Sequence, residues 1–352
     1  MEEAVIVGAH AHRDFDSLLS VLASKSAERL PDGWREPILD DAGYRCIYDK
    51  RFATGEWEFR QLQDGLWLIT VDMVAQRSLF RRHSFGRKLV LTAVLNGGVE
   101  ISGSQGLDGE LSNGCCTVYG MDHGEGFETV YERGQSLRWV SIIIDRDLLF
   151  EATGLGPRDV PDAINQFVSG TARVPYRNIM LSPNAYYVAT QLLECGMQAG
   201  YRRAYLSAKA LEFVYLMLQE FGAASSCDAD RMTLSPKERA KVKRAMRYLK
   251  ASLDEPPNIA ELAYAVDMTR QKLQLGFRHL YGDTVGSVRD KLRAEHALEL
   301  VKNSNKSMIE IALEIGYGHP PSFTRAFKAA FGVSPIQMRR MAQFAPKGTD
   351  RS

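Results

Sequence analysis

The sequence predicts an α+β, multidomain chain. An N-terminal antiparallel β-barrel or sandwich with a helix pair is followed by an all-α C-terminal domain that carries two helix-turn-helix motifs in tandem. Three observations predict this. Between residues 64 and 150, β-branched runs are cut by Gly, Asn and Asp, the pattern of short antiparallel strands. From residue 234 the apolar spacing becomes helical and N-terminal caps recur. The charge also changes sign there. Residues 232–352 hold 21 Lys and Arg against 12 Asp and Glu, whereas residues 1–231 hold 23 against 31. The formal net charge of +1 conceals a tail of +9 and a front of −8. A basic domain is the electrostatic footprint of a phosphate-backbone binder.

The 352 residues suffice for two or three domains. Hydrophobic residues are 45% and charged residues 25%, the balance of a soluble globular protein. No apolar run reaches the eighteen residues of a membrane span, so no membrane partner is expected. The start, MEEAVIVGAHAHRDFDS, lacks the basic flank of a signal peptide, and a cytoplasmic location is expected. Asp16 to Leu30 has helical character, with Leu18, Leu19 and Leu22; Trp34 to Phe59 reads as irregular structure with short strands. Strands are then expected at WLITVDMVA from Trp67, RKLVLTAVL from Arg87, VEISG from Val99, CCTVYGM from Cys115, FETVYERG from Phe127 and SLRWVSIIID from Ser136. The cluster Arg77, Arg81, Arg82 and Arg87 reads as loop surface. Two antiparallel helices are expected at Ser182 to Cys195 and Arg202 to Phe221, the second with a stripe of Leu206, Ala210, Phe213, Leu216 and Met217. The small polar stretch GAASSCDADRMT reads as a linker.

The expected domains are therefore residues 1–181, a β domain with an N-terminal extension; 182–221, a helix pair suited to dimerisation; 222–233, the linker; and 234–352, the helical domain. Ser235 with Glu238, Asn258 with Glu261, Ser307 with Glu310 and Ser334 with Gln337 have capping-box spacing. Ile311, Ala312 and Ile315 give one helix a buried face. Gly316 and Gly318 permit a sharp turn, and Phe323, Phe327 and Phe331 form the stripe of the next helix. The earlier copy has Leu262, Ala263 and Val266, then Met268, Leu273 and Phe277. Phe277 and Phe327 are 50 positions apart. A helix over about 285–303 lies between, roughly 25–30 Å long at 1.5 Å per residue. That length suits two readers in successive major grooves of double-stranded DNA.

The string Ile311-Ala312, Gly316-Tyr317, Ser322-Phe323, Arg325, Phe327-Lys328, Phe331-Gly332 and Ser334-Pro335 closely resembles the second helix-turn-helix of the AraC/XylS family of bacterial transcription regulators. The resemblance covers about residues 235–341. It implies base and backbone contacts from the second helix of each motif. The matching positions are Arg270, Gln271 and Gln274 in the first, and His319, Ser322, Thr324 and Arg325 in the second. Lys272, Arg278 and Lys328 are placed for phosphate. Two departures stand out: Leu275 where a basic residue is common in the family, and Pro320-Pro321 at the start of the second reading helix. The family implies an effector-binding, self-associating front half, an RNA polymerase partner and activation of transcription.

A narrower likeness lies in KLQLGFRHLYG from Lys272 and YLSAKALEFVYLMLQEF from Tyr205, which look like the subgroup answering to ferric siderophores of the pyochelin kind. RKLVLTAVLNGGVEISG fits that group's strand pattern. The candidate walls of an effector pocket are Trp67 and Trp139, with Arg81, Arg82 and Arg138 as anion partners. A sugar, an aromatic acid or a protein partner is the alternative effector. A metal-dependent barrel enzyme is the competing class. It would need a two-His-one-carboxylate cluster, but the first 231 residues hold only His10, His12, His83 and His123. No P-loop, nucleophile elbow or dinucleotide fingerprint appears. Neither catalysis nor a cofactor or metal is expected. The five cysteines, Cys46, Cys115, Cys116, Cys195 and Cys227, include no CxxC. The Cys115-Cys116 pair reads as small strand residues, with oxidation sensing as the alternative.

Overall fold

The computed structural model describes residues 12–14, 34–39, 42–103, 109–174, 176–197, 199–225, 234–254, 257–281 and 283–344. The helix expected at Asp16 to Leu30 lies outside them. The chain divides into two compact units, residues 1–178 with 188–222, and residues 179–187 with 223–352.

The first unit is built from two sheets. The strands are β1 His12–Asp14, β2 Trp34–Leu39, β3 Gly43–Tyr48, β4 Ala53–Gln63, β5 Leu66–Ala75, β6 Leu79–Ser84 and β7 Lys88–Asn96. They continue with β8 Val99–Gly103, β9 Gly109–Leu111, β10 Cys115–Met121, β11 Phe127–Tyr131, β12 Ser136–Asp145 and β13 Arg177–Met180. The larger sheet has the order β13-β10-β7-β12-β5-β4-β3-β2 and the smaller β1-β6-β11-β8-β9. Their inner faces share one core: Tyr44, Trp57, Phe59, Val90 and Ile143 from the larger sheet meet Leu79, Ile101, Phe127 and Tyr131 from the smaller. Among the described residues this is a sandwich of two open sheets, not a closed barrel.

The six strands expected from β-branched runs are present. The short strands expected within Trp34 to Phe59 are β2, β3 and most of β4, and the structure adds β6 where the sequence is charged. Of the arginine cluster expected as loop surface, Arg77 and Arg87 lie in bends, but Arg81 and Arg82 lie on β6, paired to β11 with Arg81 opposite Thr129 and His83 opposite Phe127. On β4, Glu58 and Arg60 are both buried. Burial alone would raise the Glu58 carboxyl pKa, but Arg202 and Arg60 outweigh it, and the pKa lies below the ordinary value. Arg60 Nε donates to Glu58 at 2.8 Å and Arg202 Nη2 at 2.6 Å. A buried carboxylate is tolerable only with such partners.

Four helices follow: α1 Leu149–Thr153, α2 Asp162–Val168, α3 Pro183–Leu193 and α4 Ala199–Ser225; residues 188–193 of α3 and 199–222 of α4, with Arg202, belong to this first unit. The α4 stripe Leu206, Ala210, Phe213, Met217 and Phe221 is buried. Arg203 Nε and Ser207 Oγ donate to Leu62 O at 3.0 and 3.3 Å, so α4 is seated on the sandwich of its own chain. Helix α4 continues to Ser225. Residues 222–225 of the expected linker are thus helical, and residues 226–233 lie outside the described residues. Cys115 and Cys116 are buried on β10. Burial pushes the Cys116 thiol pKa well up, away from the reactive thiolate.

The second unit contains α5 Pro236–Ala251, α6 Ile259–Ala265, α7 Arg270–Tyr281, α8 Val285–Asn303, α9 Met308–Glu314, α10 Pro320–Phe331 and α11 Pro335–Phe344. The capping boxes at Ser235, Asn258 and Ser307 are formed in both directions. Ser334 and Gln337 exchange equivalent bonds ahead of α11. Helix α8 spans the residues expected of the long helix between the two copies. Its buried Ala297, Leu298 and Val301 join Ile311, Ala312, Ile315, Phe323, Phe327 and Phe331 in one core.

Candidate nucleic-acid interface and effector cavity

The two helix-turn-helix copies are built alike. Helix α6 is followed by the C-cap Val266 with φ −109°, and α9 by the C-cap Ile315 with φ −94°. The next residue takes the left-handed region: Asp267 with φ 53° and Gly316 with φ 77°. The amide of the residue after that closes the turn, Met268 to Ala263 O at 3.0 Å and Tyr317 to Ala312 O at 2.8 Å. The second turn is one residue longer, because the left-handed positions are 49 apart while Arg270 and Pro320, which open α7 and α10, are 50 apart.

On α10, Phe323, Phe327 and Phe331 are buried as a ladder with ring centroids 5.7 and 4.5 Å apart. The opposite side presents Pro321, Thr324, Arg325 and Lys328 to solvent, with His319 just ahead of them and Ser322 half-buried. Arg325 Nη2 lies 3.5 Å from Ser322 Oγ. Pro320 and Pro321 occupy the first turn, where a missing N–H is tolerated.

On α7, Arg270, Gln271 and Lys272 are exposed, whereas Gln274 and Arg278 are half-buried. Two of these residues have partners within the chain. Lys272 pairs with Glu238. That hydrogen bond, with those of Ser235, holds the Glu238 carboxyl pKa down to about 2. Gln274 Oε1 accepts the Val285 amide at 3.4 Å, towards the start of α8. Helix α7 also packs very close to α5: a Cβ on Gly276 would lie 2.6 Å from Val242 Cγ2.

Within the sandwich lies a cavity of about 50 Å³, lined by aromatic rings with a few polar groups. The register explains its lining. Strand side chains alternate between faces, so Arg81 and His83 on β6 share the inner face with Phe127, Thr129 and Tyr131 on β11. Trp57 and Trp139 both lie opposite Val71 on the other sheet, and Thr92 Oγ1 and Ser141 Oγ lie 2.9 Å apart beneath them. Arg81 is only 5% exposed. His83 Nε2 lies 3.1 Å from Thr129 Oγ1, and its ring stacks on Phe127 at 4.9 Å. Tyr119 also lines the cavity, and burial raises its phenol pKa, so it stays protonated.

Of the five pocket residues expected from the sequence, Arg81 and Trp139 line this cavity and the other three do not. Trp67 is in the core, with Lys88 Nζ 5.7 Å from its ring centre. Arg82 points to solvent. Arg138 is bound to Asp72 at 3.1 Å and Glu194 at 2.9 Å. Sequence reasoning missed His83, Phe127, Thr129 and Tyr131. The alternation in FETVY marks three of them as one face, but only the pairing with β6 shows what they face. Among the described residues, no group of three or more His, Cys, Asp and Glu could hold a metal ion, and no helix is long and apolar enough to cross a membrane.

Two consecutive helix-turn-helix copies that follow a β-sandwich in the chain define a DNA-binding transcription regulator. The family described as the regulatory protein PchR N-terminal domain matches residues 54–234, and the helix-turn-helix domain family matches residues 262–341. The chain belongs to the AraC/XylS regulators and carries a front half of the PchR type. Among curated relatives, the regulatory protein PchR of Pseudomonas aeruginosa is 34% identical over 121 residues, which are 34% of this chain and 40% of that protein. The putative HTH-type transcriptional regulator YkgA of Escherichia coli is 32% identical over 98 residues, 28% of this chain and 41% of the relative. These matches thus reach about two fifths of the relatives' own lengths. The solved structure of ToxT from Vibrio cholerae covers 80% of this chain and all of its own, at 12% identity and a TM-score of 0.33.

Proposed function

We propose that this chain is an effector-controlled activator of transcription, cytoplasmic and homodimeric, which reads DNA through α7 and α10 and recruits RNA polymerase. Base reading falls to Arg270 and Gln271 on one side and to His319, Ser322, Thr324 and Arg325 on the other. Arg278 and Lys328 take phosphate. Lys272 and Gln274 take part only if they leave Glu238 and the start of α8. The effector sits in the sandwich cavity, and a ferric siderophore is the first candidate class.

The observation that carries the effector reading is the buried Arg81 guanidinium among aromatic rings. A guanidinium presents a rigid fork to a carboxylate or phenolate, and flat rings supply the contact area of an aromatic ligand. The cavity volume of 50 Å³ is well below the ~300 Å³ or more of ordinary ligand pockets. A ferric siderophore therefore requires the sheets to part at the mouth, and the small volume favours a compact aromatic acid as the second reading.

Trp57 and Trp139 line the cavity, so intrinsic fluorescence reports on it. The intact protein is titrated with ferric siderophores, their iron-free forms, aromatic acids and sugars, corrected for ligand absorbance. Saturable quenching by one ferric siderophore, lost in Arg81→Met, is expected. Quenching by aromatic acids alone would replace the siderophore with the second reading. A full response in Arg81→Met would remove the cavity from the proposal.

A further inference from the structure

We infer that Arg244 and Arg293 are a matched pair of positioning residues, one per reader, which hold the carbonyl end of each first helix and so set the seat of the reading helix that follows. The inference rests on the DNA-reading role of the tandem motifs. The last carbonyls of a helix have no partner within it and carry its partial negative charge. In the second reader Arg293, on α8, fills that place. Its Nε donates to Ile315 O at 2.7 Å and its Nη2 to Gly316 O at 2.6 Å. Its guanidinium carbon lies 5.1 Å from the Tyr317 ring centre, and that ring lies 6.0 Å from Phe323, the first buried ring of α10. The grip therefore runs from α8 through the turn to the stripe that seats the reading helix.

In the first reader Arg244, on α5, donates from Nη2 to Ala265 O at 2.9 Å. Lys241 adds bonds of 2.7 Å to both Asp267 O and Asp267 Oδ2. Arg244 and Arg293 are 49 positions apart, the same offset as the turn residues Asp267 and Gly316. The grip is thus part of the repeat, and the repeat unit begins one helix earlier than the helix-turn-helix itself, at α5 and at α8. Both arginines are basic and accessible within a basic domain, so composition alone would count them as phosphate contacts. The bonds to helix-end carbonyls argue for an inward role.

The test uses the full chain and a duplex that the wild-type protein enriches from a randomised pool. Arg293→Met is expected to weaken binding at least about tenfold, the scale of a lost base contact, with protection lost over one reader's segment. The slope of log K against log salt should stay at the wild-type value, because no phosphate contact has gone. Arg244→Met should lose the other segment. Arg293→Lys keeps the charge but not the two-carbonyl fork, and should recover only part of the affinity. A slope reduced by about 0.9 would make Arg293 a phosphate contact and overturn the inference. Amide exchange on the free protein provides a readout that needs no DNA. Faster exchange confined to the turn over 315–319 and the start of α10 is expected in Arg293→Met, and unchanged exchange there would also overturn it. Failure of the wild-type chain to enrich any sequence would count against DNA reading, and the exchange result would still decide the grip.

Discussion

The two readers close the same turn by different chemistry. In the first, an L-residue occupies the left-handed position, and the Asp267 carboxylate is tied to Lys241. In the second, Gly316 takes the position, and the partner is a guanidinium bound to backbone carbonyls. Both turns have an arginine on a carbonyl, and the first depends in addition on an ion pair to an exposed carboxylate that acid or salt can weaken. The other depends on backbone geometry and close packing. Two copies of a motif can therefore share a fold while differing in what disturbs them.

The largest effect should come from Gly316→Ala. The added Cβ would lie 2.2 Å from both Asp254 O and Arg293 Nη2, at a φ of 77° that disfavours any side chain. A loss of about 2–4 kcal/mol is expected from overpacking and left-handed strain together, read by denaturant unfolding. Asp267→Gly in the first reader should change stability far less than Gly316→Ala does in the second, because relief of strain offsets loss of the Lys241 contact. Equal costs at the two sites would erase the distinction between the turns.

Next come the reading helices themselves. Arg325→Ala should cost roughly 1–3 kcal/mol of specific binding and relax sequence preference. Arg270→Ala should cost less, since its neighbours Lys272 and Gln274 have partners within the chain and Leu275 adds no charge. Footprinting and competition binding check this. A larger loss at Arg270 would make the first reader the dominant one.

The smallest effect concerns pH. The hydrogen bond from Lys241, followed by its charge and those of Lys237 and Arg244, lowers the Asp267 carboxyl pKa. A carboxylate with a lowered folded-state pKa adds stability above its unfolded pKa and loses it as pH falls through the folded value. Protection of the first turn, normalised for intrinsic exchange, should thus decline below about pH 4 while the second turn holds. Asp267→Asn should abolish the difference. Glu238, held at about 2 beside Lys272, should release only in stronger acid. A parallel decline in both turns would mean that the ion pair contributes nothing local.

Much of the helical domain was legible because its signals are local. A cap needs a Ser or Asn and a Glu three residues on, and a stripe needs one ring every fourth residue. Hence the boxes at Asn258 and Ser307 and the Phe323–Phe331 ladder could be read directly. The β-branched strands were equally plain. Strand β6 was not, because its inner face carries Arg81 and His83 where a core strand ordinarily carries apolar residues. Strand β4 was legible only as part of a stretch with short strands for the same reason, since Glu58 and Arg60 are buried only because Arg202 reaches Glu58 from 144 positions away. Among the effector candidates, Arg81 and Trp139 line the cavity and Trp67, Arg82 and Arg138 do not, because chemistry alone could not tell Arg81 from Arg138.

Periodicity, caps, turn glycines and the 49–50-residue repeat belong to the chain's local order, because backbone sterics and helix-end hydrogen bonding act within a few residues. The choice of partner belongs to the folded chain. Lys272 facing Glu238, Arg138 facing Glu194 and Arg81 facing the cavity depend on register and on helix docking. Those join residues far apart in sequence, and their energies exist only once water has been excluded between the elements that carry them.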